Sequence, residues 1–150
     1  MTQMNFNASK ITLAHVTHEA VEKIGGIGTV LEGMIASPVY QQRVGRSILV
    51  GPTAAHLQHD PKHRLGKNGR VLYSSVDQID ELGLATKLRP IEWAFDVTFV
   101  YGKRTFNPPG EDRVGEAEVL LIDVFRSNQN RLNVFKLRLW ETFKIDSSRY

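Results

Sequence analysis

The residues best suited to chemistry are Lys23-Ile24-Gly25-Gly26-Ile27-Gly28-Thr29, which join an apolar, β-branched run to a segment with helical spacing. Backbone N–H groups at a helix start can face an anion, and glycines let a phosphate approach them closely. A lysine at the loop's entrance adds a compact positive charge suited to a diphosphate. The loop is not the dinucleotide fingerprint, because Leu31 stands where a third glycine or alanine is required, and it is not a P-loop, which requires Gly-Lys-Ser/Thr. The competing reading is a glycine-rich turn that packs strand closely on helix. Position favours the functional one: in an open parallel sheet, ligands gather at the carboxyl ends of the strands, and this loop leaves the first of them. His18 lies near enough to belong to the same site, and Thr29 can lend a helix-start hydroxyl, with capping as its simpler job.

Other constellations carry less. His56, His59 and His63 with Asp60 offer three imidazoles and a carboxylate within eight residues, but the Cys or His-Glu-x-x-His context of a zinc site is absent, so no metal is expected. His15 reads as a hydrogen-bonded core histidine. Asp77, Asp80 and Glu81, and Glu111, Asp112, Glu116 and Glu118 around a Pro-Gly turn, read as solvated surface; general acid work needs a carboxyl whose environment raises its pKa. Trp93, Phe95, Phe99, Trp140 and Phe143 can stack on sugars, yet their spacing makes them core residues first. A net charge of +3 suits anionic ligands. The densest basic cluster, Lys62, Arg64, Lys67 and Arg70, has no interleaved aromatics for base stacking, so it reads as a solvated loop and nucleic acid is not an expected partner. Cysteine is absent. No apolar run approaches the roughly 18 residues a membrane span needs, and the polar N-terminus lacks a secretory pattern. A cytoplasmic protein is expected, which leaves the Asn7-Ala8-Ser9 sequon without consequence.

The elements that must position the loop follow from periodicity. Residues 11–16 form a buried strand. Ile27, Val30, Leu31, Met34 and Ile35 fall on one helix face, predicting a helix over about 26–36 with Pro38 just beyond it. Ser47 to Val50, stopped by Gly51-Pro52, is a second strand. This strand, loop, helix, strand order favours a parallel sheet with a crossover helix. Residues 53–68 read as an exposed excursion and 70–73 as a strand. Ser75 and Gln78 have capping-box spacing and Gly83 follows Leu82, predicting a short helix over 76–82. Residues 93–101 and 104–106 flank Gly102-Lys103, predicting a hairpin. Residues 118–124 give the strongest buried-strand signal, and Val134, Leu137, Trp140 and Phe143 recur at helical spacing.

Residues 19–31, Glu-Ala-Val-Glu-Lys-Ile-Gly-Gly-Ile-Gly-Thr-Val-Leu, resemble the Lys-x-Gly-Gly segment that opens glycogen and starch synthases. The four-residue step from Glu19 to Lys23 and the Thr-Val-Leu after the glycines are closer to the animal and fungal enzymes than to the bacterial ones. A second, distant match runs from Val119-Leu120-Leu121-Ile122-Asp123-Val124 through Leu132 to Trp140-Glu141 and Ile145, and Gly51-Pro52 fits as well. Residues 125–129 and the histidine-bearing excursion match no segment of that family.

The resemblance implies an α/β fold with a Rossmann-like, mostly parallel sheet and crossover helices. It makes residues 1–150 an incomplete N-terminal, acceptor-side domain of a two-domain retaining glucosyltransferase. The substrates would be a nucleotide-glucose donor and an α-1,4-glucan acceptor, with no cofactor. Lys23 would act on the donor's phosphates as the catalytic charge, and Gly25, Gly26 and Gly28, with His18 and Glu19, would complete the substrate-binding set. Catalysis would be charge stabilisation of a departing diphosphate. The family's glutamate pair, eight positions apart, has no counterpart among the nine glutamates at 19, 22, 32, 81, 92, 111, 116, 118 and 141. Donor contacts are therefore expected from a C-terminal domain absent here, and the chain alone is expected to be inactive. The alternative is a non-catalytic glucan- or phospholigand-binding module derived from such an enzyme.

Overall fold

The computed structural model describes residues 10–21, 23–53 and 60–147; Asn7, His56 and His59 lie outside the described residues. A six-stranded open sheet has the order β1-β2-β6-β5-β3-β4. Its strands are β1 (Ile11–Val16), β2 (Val44–Pro52), β3 (Gly69–Ser74), β4 (Ile79–Asp80), β5 (Thr98–Phe106) and β6 (Gly115–Asp123), and its helices are α1 (Gly26–Ile35), α2 (Pro38–Arg43), α3 (Ala85–Phe95) and α4 (Gln129–Phe143). β1, β2 and β6 are parallel, with Val16 beside Val50 and Val50 beside Leu120. The half formed by β6, β5, β3 and β4 is antiparallel. The sheet is therefore mixed, parallel in one half only. The chain leaves the parallel half after β2 and returns through β3, β4, α3 and β5, so no single crossover helix joins β2 to β6.

The core lies on the α1 side of the sheet, where Leu31 and Ile35 meet Leu49, Val119, Leu121, Val100 and Phe106. Successive residues of a strand point to opposite faces, so the same strands send Ile48, Val50, Leu120 and Ile122 to the other side, where they are only partly buried. There α3 covers the antiparallel half: the buried Glu92 carboxylate accepts the Tyr73 hydroxyl at 2.9 Å and the Phe99 amide at 2.8 Å. Burial first, then this contact with a carboxylate, pushes the Tyr73 phenol up to about 12. Val16, on the uncovered parallel half, is 81% exposed.

Several expectations are corrected. The buried face of α1 is Gly28, Leu31, Glu32 and Ile35, with Ile27 and Val30 exposed; the helix is turned so that a carboxylate occupies part of its inner face. Residues 76–82 are no helix. Ser74 and Asp77 bond to each other across a turn, Gln78 adopts a positive φ of 56°, and the chain doubles back as β4. Residues 93–95 end α3, a helix that contains Pro90 and starts on the Asp80 carboxylate, which accepts the Leu84 and Ala85 amides. Gly102-Lys103 is mid-strand: a Cβ at Gly102 would overlap the Arg70 carbonyl and Leu65, so the glycine serves the close approach of β3 to β5. The actual turn into β6 carries Pro108, Pro109 and Gly110, whose φ is +77°. Trp93, Phe95, Trp140 and Phe143 are exposed and only Phe99 of that aromatic set is buried, because none of the described elements covers the outer sides of α3 and α4.

Candidate functional site

The carboxyl ends of β1, β2 and β6 converge at one edge of the sheet, and two features meet there. A cleft of about 460 Å³ is lined by Val16, Thr17, His18, Val50, Pro52 and Ile122, among others. At Gly51 a Cβ would overlap the Thr17 carbonyl and the Ala20 side chain, so the glycine lets the chain leaving β1 pass close against β2. The second feature is the glycine loop on the α1 side of the same strand ends.

The loop is built around a carboxylate of its own. Thr17 Oγ1 accepts the Glu19 amide at 3.1 Å and so turns the chain as it leaves β1. The Glu19 side chain, 3% exposed, folds under the loop, and its Oε2 accepts the Gly28 amide at 2.7 Å. Gly25 leaves room for it: a Cβ there would sit 3.0 Å from Glu19 Oε1. The Gly28 amide chiefly, with further amides at Gly25 and Ile24 and the nearby His18, outweighs burial and holds the Glu19 carboxyl below the usual range. Glu19, rather than Thr29, thus supplies the side-chain acceptor at the start of α1.

Lys23 Nζ is engaged as well, paired with the Glu32 carboxylate on the inner face of α1. Behind that pair Arg104 of β5 stacks on Phe106, 5.0 Å from the ring centroid, and donates from Nη1 to the Val21 carbonyl. Its Nε is buried without a hydrogen-bond partner. Burial pushes the Arg104 guanidinium pKa down and the charge of Glu32 pulls it back up.

The predicted set is therefore brought to one end of the sheet but divided. His18 lines the cleft; Gly25, Gly26 and Gly28 frame the loop; Lys23 faces Glu32; and Glu19 is internal to the loop. Glu32 and Arg104 escaped sequence reasoning. Glu32 left a signal, a charged residue on a helix face between Leu31 and Ile35; Arg104, in a strand of alternating types, left none.

The discounted residues are placed as follows. Half-buried His15 bonds through Nε2 to the Tyr40 hydroxyl at 2.9 Å, which meets Ser47 Oγ at 2.8 Å, and burial lowers the His15 pKa. Arg64 and Asp77, expected on solvated surface, form a buried bidentate pair at 2.5 and 2.7 Å, because the segment after the 3-10 turn Pro61–His63 passes beneath the β3–β4 turn. Glu118 is likewise largely covered and accepts from Arg46 and Tyr101. Among the described residues no group of three His, Cys, Asp or Glu is placed to hold a metal, and no helix is long and apolar enough to cross a membrane.

Compared with known proteins, the chain matches no protein-family model, no curated protein and no solved structure. The two motif segments and the geometry just described therefore carry the functional argument alone.

Proposed function

We propose that this chain is the acceptor-side, Rossmann-like domain of a glycogen or starch synthase-type glucosyltransferase, which works with a second domain that supplies the donor-binding glutamates. The observation that carries the reading is the Lys23-x-Gly25-Gly26 loop standing between β1 and α1, at the carboxyl end of a parallel strand. The second motif segment falls on β6, whose partner β2 ends in Gly51-Pro52, so both matched segments flank one sheet edge.

In this reading the pyrophosphate of a nucleotide-glucose lies against the Gly26 amide and displaces the Glu19 carboxylate from the amides of Gly25 and Gly28. Lys23 swings to the charge that develops on the leaving diphosphate, a donor aimed at transition-state charge. The sugar and the glucan end occupy the cleft beside His18. One lysine and a few amides give an isolated domain only millimolar or weaker affinity for the donor. The alternative is a non-catalytic phospholigand- or glucan-binding module, and one feature favours its glucan-binding form: Glu19 and Glu32 already occupy the groups that a phosphate would use.

Amide spectra recorded during separate titrations with ADP-, UDP- and GDP-glucose and with a malto-oligosaccharide test the proposal. Shifts at Gly25, Gly26 and Gly28 with the nucleotide sugars, and at Thr17 and His18 with the oligosaccharide, are expected. Oligosaccharide shifts alone select the module. Silence at both sets, at tens of millimolar ligand, overturns both readings.

A further inference from the structure

The two edges of the sheet differ. At one edge β4 is only two residues long, Ile79–Asp80, and its aspartate caps α3; a short, charged edge strand resists pairing with another chain. At the other edge β1 runs for six residues, Ile-Thr-Leu-Ala-His-Val, with no proline, lysine, arginine, aspartate or glutamate. The Thr17 amide donates to the Val50 carbonyl at 2.8 Å, and Val16 stands beside Val50 in the register. The odd-numbered residues of β1 therefore point their backbone groups at β2. Alternation turns the N–H and C=O groups of Thr12, Ala14 and Val16 outward, and among the described residues no strand or loop bonds to them. The side chains of these three residues are exposed and share the uncovered face of the sheet with Arg46, Ile48 and Val50.

We propose that β1 is the pairing surface of a symmetric dimer, in which β1 of a second copy of this chain runs antiparallel to it and continues the sheet across a two-fold axis. The strand is self-complementary in that arrangement. An axis perpendicular to the sheet keeps the faces of both copies on the same sides, so odd residues pair with odd and even with even. Centred on Ala14, it sets Thr12 opposite Val16 and Ala14 opposite its own copy. The outward backbone groups of these residues then exchange hydrogen bonds, three donated by each copy. On the exposed face the β-branched Thr12 and Val16 meet, a favourable cross-strand pair, and the small Ala14 side chains flank the axis. On the α1 face Leu13 meets His15. No like formal charges face each other, although the chain carries +3. A strand from another protein would have to match this pattern by chance, whereas a second copy matches it by symmetry. A single strand pair lies at the small end of interface sizes, so the dissociation constant is expected on the order of 100 µM.

Sedimentation equilibrium and amide hydrogen exchange of the full chain, at about 10 µM and about 1 mM, bracket that constant and test the proposal. Dimer should form at the higher concentration, and the Thr12, Ala14 and Val16 amides should slow with it while Leu13 and His15 are protected throughout. Ala14→Pro removes the central N–H at a place where a free edge tolerates proline, and should weaken association at least about tenfold. Ala14→Lys sets two ammonium groups opposite each other and should abolish the dimer, and mixing it with Ala14→Glu should restore association as a heterodimer. Ala14 is exposed, so both single variants should keep the fold, which their amide spectra check. A chain that stays monomeric at the higher concentration with these three amides exchanging freely overturns the proposal. So does a dimer that Ala14→Pro leaves unchanged, which would join through another face. Protection of the three amides in the dilute monomer also overturns it, since the edge would then be covered from within one chain.

Discussion

Glu19 Oε2 accepts the Gly28 amide at 2.7 Å, so the first turn of α1 is capped by an anion nine residues before that amide. A local cap would come from the residue at the helix boundary, but Gly25 holds that position and has no side chain to offer. The cap thus ties the exit of β1 to the entrance of α1.

That tie is pH-dependent, and its sign follows from the direction of the shift. The folded state holds the Glu19 carboxyl below its ordinary 4.5, mainly through the Gly28 amide. A depressed carboxyl stabilises the fold above the unfolded value and loses that contribution as pH falls through the folded one. Glu19→Gln should melt below wild type at pH 7, and the gap should close progressively below about pH 4.5. Thermal melts of both proteins at pH 7 and pH 3 measure it; a gap that persists undiminished at pH 3 would show that the carboxylate charge is not what matters.

The Arg64–Asp77 pair is buried on both sides, with side chains 6% and 8% exposed. Removing one partner of such a pair strands the other charge and costs about 3–5 kcal/mol, whereas replacing both with apolar residues of similar volume is far milder. Asp77→Asn should therefore destabilise by about that amount, and the double change Arg64→Met with Asp77→Leu by much less. Denaturant midpoints for the three proteins decide it, and a double variant as unstable as the single one would contradict the argument.

Two glycines separate close approach from backbone conformation. At Gly102 the backbone is that of an ordinary strand but a Cβ would overlap the Arg70 carbonyl, so Gly102→Ala must part β3 from β5 at a cost of about 3 kcal/mol. At Gly110 nothing lies within 4 Å of a Cβ, yet φ is +77°, so Gly110→Ala should cost only about 1–2 kcal/mol. Equal costs at the two sites would mean that the β3–β5 spacing is softer than the structure indicates.

The parallel half of the sheet was legible because Ile48-Leu49-Val50 in β2 and Val119-Leu120-Leu121-Ile122 in β6 are short continuous apolar runs between polar flanks, whereas β1, expected to be buried, is an edge strand with no buried residue. α1 was legible in extent but not in rotation. Periodicity counts Ile27 and Val30 as inward, while the Lys23–Glu32 pair draws Glu32 in and turns both isoleucine and valine out. α3 was hidden by Pro90 and by a weakly amphipathic sequence in which only Glu92 is buried. The glycine at 102 mimicked a turn because a sequence cannot tell a glycine needed for conformation from one needed for contact. The site was legible in residue type, lysine and glycines at a strand exit, but its internal anions were not, because which carboxylate reaches which amide is decided only in three dimensions.

Lys23 gives the sharpest test of the functional reading. If the chain acts with a donor-binding domain, Lys23→Ala should slow glucosyl transfer more than it weakens glucan binding, because the lysine acts on charge that grows on the leaving diphosphate. A charge-assisted hydrogen bond contributes about 1.5–3 kcal/mol, so the loss should be on the order of ten- to a few-hundredfold in rate. Lys23→Arg should not restore it fully, since a planar guanidinium does not replace a compact ammonium beside a tight glycine turn. Residues 1–150 alone should transfer no glucose, and turnover by the isolated chain, free of contaminating enzyme, would contradict that. A lysine that serves only as the partner of Glu32 predicts lowered stability with normal transfer. Rate against donor concentration for wild type, Lys23→Ala and Lys23→Arg separates the two, and unchanged kcat and KM for Lys23→Ala would assign the residue to stability alone.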